Sequence, residues 1–156
     1  MVLRLAVPFA AVALAGCGHA GDGRPAAVSE RQWRANAVVI VRQLQADIAA
    51  TQISGGTAAS AGAALHDESS LYGLLISYSD FGGCREMVAA AGPQPPSAGQ
   101  VERLLAAGCR HLERASRLFT LAVKRNDGSS LLAAGRESGR ALPPLVRAAA
   151  VLGGRR

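Results

Sequence analysis

VERLLAAGCRHLERASRLFTLAVK, residues 101–124, decides the fold class. Val101, Leu105, Gly108, Leu112, Ala115, Phe119 and Ala122 follow one another at steps of 4-3-4-3-4-3, a heptad seam on one face of a long helix. The opposite face carries Arg103, Arg110, Arg117 and Lys124, one every seven residues, with Arg114 beside them. A stretch with all its charge on one side and its apolar residues on the other needs a helical partner. Upstream, Ser97-Ala-Gly-Gln100 has the spacing of a capping box and marks the start of this helix. Downstream, Asn126-Asp127-Gly128 turns the chain. A last helix then places Leu132, Gly135, Gly139, Leu142, Val146 and Ala149 on a second 3-4 seam. Gly108, Ala115, Gly135 and Gly139 predict a close approach of these two helices. Pro143-Pro144 predicts a kink or a break in the last one, because each proline removes a backbone donor.

Toward the N-terminus, Ser29-Glu-Arg-Gln32 again matches a capping box and opens a helix with Trp33, Ala37, Ile40, Val41, Leu44 and Ile48 on one face. A second helix is expected from about Thr57 to Ser79, with Leu65, Tyr72, Leu75 and Ile76 as its core. Phe81-Gly82-Gly83 ends it, a short helical piece follows from Cys84 to Ala91, and Gly92-Pro-Gln-Pro-Pro96 reverses the chain. No strand pattern occurs. The 156 residues suit one domain, and a composition 49% hydrophobic, 18% charged and 4% aromatic excludes a disordered chain and disfavours a β-sandwich or barrel. The expectation is all-α: an up-down four-helix bundle with a short extra helix between helices two and three.

The first residues carry a different message. Arg4 is followed by an uncharged run from Leu5 to Gly16 and then by Cys17, the layout of a secretory signal. Twelve helical residues rise about 18 Å, short of the roughly 30 Å hydrocarbon core. Leu14-Ala15-Gly16-Cys17 resembles the lipobox of bacterial lipoproteins, and the resemblance covers residues 1–17 alone. It implies that residues 1–16 are removed as a signal peptide, that Cys17 becomes the lipidated N-terminus (a thioether diacylglycerol, with palmitate among the acyl chains), and that the protein sits on the extracytoplasmic face of a cell membrane. Two or more acyl chains anchor stably where one does not. Residues 17–28, rich in Gly and Ala, then form a flexible tether, 29–152 the bundle, and 153–156 a disordered tail.

With Cys17 assigned to lipid, Cys84 and Cys109 remain. An even pair in an exported protein suggests a disulfide, and two antiparallel segments on either side of the proline loop would bring the sulfurs together. The alternative is a pair of buried free thiols. His66-Asp67-Glu68 and His111-Leu112-Glu113 are the polar candidates for chemistry, but the chain has no Glu-x-x-His, no zinc spacing, no nucleophile elbow and no phosphate loop. No metal, cofactor or catalytic residue is therefore assigned, and His111 is expected as a hydrogen-bonded histidine at the edge of the seam. Arg103, Arg110, Arg114, Arg117 and Lys124, with Arg136, Arg140 and Arg147 on the last helix, are candidates for contact with an anionic surface or an envelope protein. The competing interpretation is a solvated face partly neutralised by pairs such as Glu113–Arg117. Export disfavours nucleic acid. The functional expectation is a non-enzymatic, membrane-anchored envelope lipoprotein that binds a partner; the alternative is a small-ligand or metal-binding helical bundle.

Overall fold

The computed structural model describes residues 28–53 and 56–154. Among these residues the chain is all helical, with six α-helices packed together and no strand. They are α1 (Glu30–Ala50), α2 (Ala58–His66), α3 (Glu68–Gly82), α4 (Cys84–Ala89), α5 (Gly99–Arg125) and α6 (Gly128–Gly153), with a 3-10 turn at Pro96–Ala98 before α5.

The α5 seam is buried at all seven of its expected positions, joined by Cys109. Its partner is α6, and the pair forms the most extensive contact in the molecule. Gly108 is where they close. A methyl group there would come within 3.0 Å of Leu145 Cδ2, so the absent side chain is what admits Leu145. The expected α6 seam is displaced by one residue. Leu131, Ala134, Ser138, Ala141, Leu145, Ala148 and Leu152 are buried, whereas Leu142 and Val146 are exposed. One residue is about 100° of helix rotation. Apolar side chains on α6 supply both stripes, and packing chose the one that seats Leu145 over Gly108 and turns Ser138 inward to the Thr51 hydroxyl at 3.2 Å. Gly135 and Gly139 consequently face away from α5, and a methyl group on Gly139 would touch nothing.

The helix runs unbroken through Pro143 and Pro144, against the expected break. The two lost donors free the carbonyls of Gly139 and Arg140, on a side of α6 that solvent reaches. The buried residues around the prolines, Ala141 and Leu145, meanwhile stay packed under α5. Gly153 is the last helical residue, and the N–H of Gly154 donates to the Ala150 carbonyl. At the other end of the described residues, Val28 packs against the core and across Gly92.

The expected second helix is two helices. Asp67 closes α2 and caps α3, its carboxylate accepting the Ser70 N–H at 2.8 Å. That break resets the helical phase. Tyr72, Leu75 and Ile76 continue the stripe of Leu65 only along an uninterrupted helix; in α3 they are 67%, 47% and 49% exposed. Leu74, Ser77, Tyr78 and Phe81 are buried instead. Tyr78 stacks on Phe119 of α5 at 4.4 Å between ring centroids and meets Phe81 edge-on at 5.2 Å. Its hydroxyl faces those of Thr51 and Ser138 without reaching hydrogen-bond geometry, and burial pushes its pKa up to about 12.

In α1, Trp33, Ala37, Val41, Leu44 and Ile48 are buried as the spacing predicts, and Ser29 caps it by accepting the Gln32 N–H at 3.2 Å. Ser97 does not cap α5. That helix starts at Gly99, and the Ser97 hydroxyl donates instead to Glu30 Oε1 at 2.9 Å.

Candidate functional site

The α5–α6 hairpin concentrates the positive charge. Residues 99–154 hold nine basic and four acidic side chains, residues 28–98 four basic and six acidic. Arg103, Arg110, Arg114, Arg117 and Lys124 all lie exposed on the side of α5 opposite its seam, and Arg136, Arg140 and Arg147 are exposed on α6. The contacts of His111 with Glu137 and of Gly108 with Ala141 and Leu145 make the helices antiparallel. In that register Arg103 is level with Arg147, Arg110 with Arg140 and Arg114 with Arg136. Arg114 and Arg140 meet over Glu137, so the two rows adjoin there.

Of the hairpin's four carboxylates, Glu113, Asp127 and Glu137 are each engaged with other groups of the protein. Glu113 pairs with Arg85 of α4 at 2.7 Å, and not with Arg117 as helix spacing suggests. The disulfide explains the choice: Cys84 is bonded to Cys109, with Cα atoms 5.4 Å apart, and this sets the next residue of α4 beside the residue one turn further along α5. The expected bridge is thus present, and it lifts one neutralising carboxylate out of the basic row. Asp127 caps α6 by accepting the N–H groups of Ser129 and Ser130 at 2.9 and 3.2 Å. Glu102 lines an open cleft of about 370 Å³ between α4 and α5, together with Trp33, Arg85, Leu105 and Arg110.

Glu137 is the remaining carboxylate and the residue that sequence reasoning missed. It is buried at the junction of the two helices. Oε1 accepts the Nδ1–H of His111 at 2.8 Å and lies 3.4 Å from Arg114; Oε2 accepts from Arg140 at 2.8 Å. Burial alone would raise its pKa. The hydrogen bonds from His111 and Arg140 and the charges of Arg140 and Arg114 outweigh burial and hold it below its ordinary value of 4.5. The carboxylate therefore acts as an internal counter-ion that lets three cationic or donor side chains sit together at the surface. The available signal was its isolation: Glu137 is the lone acid of α6, flanked by Arg136 and Arg140.

A folded-state pKa below the unfolded one contributes stability above the unfolded value and loses it as pH falls through the folded value. Glu137→Gln is accordingly expected to cost about 2 kcal/mol at neutral pH, the range for a hydrogen-bonded charged group with partly exposed partners. The deficit should shrink below the ordinary carboxylate range. Urea unfolding across an acid series tests this; a gap between the two proteins that does not narrow in acid would remove Glu137 from that role.

The other candidates do not converge. The Nε2 of His66 lies 3.1 Å from Asn126 Nδ2, with Asn126 donating, while His111 is occupied with Glu137. Among the described residues no group of three or more His, Cys, Asp or Glu side chains could hold a metal ion. No described helix is long and apolar enough to cross a membrane. Cys17, and the tether up to residue 27, lie outside the described residues. Comparison of the chain with protein-family models, with curated proteins and with solved structures finds no match in any of the three.

Proposed function

We propose that this chain is a cell-envelope lipoprotein, anchored through acylated Cys17 on the extracytoplasmic face, whose helical domain is a non-enzymatic module for binding an anionic surface. The observation that carries the proposal is the α5–α6 hairpin, where eight cations are exposed while Glu113 pairs with Arg85, Asp127 caps α6 and Glu137 is buried beneath Arg114 and Arg140. The buried Cys84–Cys109 bridge fits an oxidising compartment. We read α1, α3, α5 and α6 as the up-and-down bundle, with α2 closing one end and α4 the short extra helix; the contacts of α6 with α5 and α1, and of α3 with both, support that arrangement.

Expression of Cys17→Ser in a bacterial host tests the anchor. The expected result is complete loss of metabolic palmitate label and release of the domain from membranes by salt. A label retained on the serine variant would reject Cys17 as the acylated residue.

A further inference from the structure

We infer that the anionic surface is the phospholipid bilayer itself, and that the domain lies lengthwise on it along the α5–α6 face. This deepens the proposed function and rests on it for the anchor, though the surface can be tested without the anchor.

The spacing of the cations argues for an extended polyanion. Arg103, Arg110, Arg117 and Lys124 recur every seven residues, which places successive cations about 10.5 Å apart along the helix with a drift of about 20° per step. Arg136, Arg140 and Arg147 form the parallel row on α6. Arg103, Arg110, Arg117, Lys124, Arg136 and Arg147 make no ion pair among the described residues. These six side chains are donors alone, five of them guanidinium, and they are spread along the length of both helices. Guanidinium groups engage phosphate oxygens in paired hydrogen bonds.

Chain length supplies the second argument. Val28, the first described residue, packs over Gly92, just before the turn from which α5 starts. Val28 therefore lies at the end of the face marked by Arg103. Eleven peptide links separate Cys17 from Val28 and reach at most about 40 Å. The 27 residues of α5 span about the same distance. A lipid on Cys17 would hold the whole face within reach of the headgroups, and tethering makes contacts effective that would be weak in free solution. Charge is screened within about 8 Å at physiological salt, so the attraction acts once the face lies on the surface.

The test uses the chain from residue 17 onward carrying Cys17→Ser, so that neither an acyl chain nor the apolar run Leu5–Gly16 contributes. Its binding is measured to vesicles of phosphatidylcholine alone or mixed with phosphatidylglycerol. Binding should require the anionic lipid and weaken as ionic strength rises. Each basic side chain close to an anionic surface strengthens binding about fivefold, so R110Q/R117Q in this background should lose roughly 25-fold. R31Q/R42Q removes the same charge from exposed positions on α1 and should lose less than threefold. Equal losses in the two variants would overturn the proposed face, and equal binding to both vesicle types would overturn the bilayer as partner. Displacement from anionic vesicles by polyglutamate at matched charge would likewise overturn it, in favour of an acidic polypeptide. None of these outcomes depends on whether Cys17 is acylated, and failure of palmitate labelling leaves the vesicle result standing.

Discussion

Gly128→Ala is expected to lower the stability of the domain by about 3 kcal/mol and to release α2 from the hairpin, the upper range for overpacking a rigid contact. Gly128 is the first residue of α6, and α2 lies directly across it. A β-carbon at this position would overlap the Ala58 carbonyl oxygen and stand 2.7 Å from Gly62 N. Both obstacles are backbone, so no side chain can rotate out of the way; α2 has to move, uncovering Ala61 and Leu65. Gly62→Ala is the matched control. Its β-carbon would meet nothing within 4 Å, and it should gain up to about 1 kcal/mol from helix propensity. Urea unfolding with hydrogen exchange read at residues 58–66 separates the two outcomes. If the two alanine variants proved equally stable, Gly128 would not be what seats α2.

Removing the disulfide is the second large effect. Cys84 and Cys109 close a loop with a sequence separation of 25, which by chain entropy corresponds to about 3 kcal/mol. Cys84→Ala/Cys109→Ala should lose about that much, and it should also loosen α4 together with the Arg85–Glu113 pair beside it. Both sulfurs are buried, so the native oxidised protein should yield no alkylated thiol at these positions until it is unfolded and reduced. Stoichiometric alkylation of native material, or a double variant as stable as the parent, would contradict the bridge or its contribution.

These two residues mark different degrees of legibility. The cysteine pair was readable from its count and from the chain reversal between its members. The contact of Gly128 was not, because the sequence shows a turn glycine and conceals which backbone it will face. The basic row was visible as a seven-residue period. The carboxylate beneath it was not, since Glu137 acquires its role only when His111 and Arg114 arrive from another helix.

What the sequence determined by itself is α5, with its seam complete to the residue, the cationic stripe behind it, and the all-helical class. Charged side chains on α5 exclude every other face from burial, so periodicity alone specifies the rotation. Elsewhere tertiary structure decided. Apolar residues surround α6 and α3 on more than one side, and two stripes about 100° apart satisfy the pattern equally well. Packing resolved the choice on α6 through Leu145 over Gly108 and Ser138 against Thr51, and Asp67 reset the phase of α3 by capping a new helix. A one-dimensional pattern can say that a helix has a buried side; where two sides qualify, only the volume and hydrogen-bonding groups of the neighbouring helix select between them.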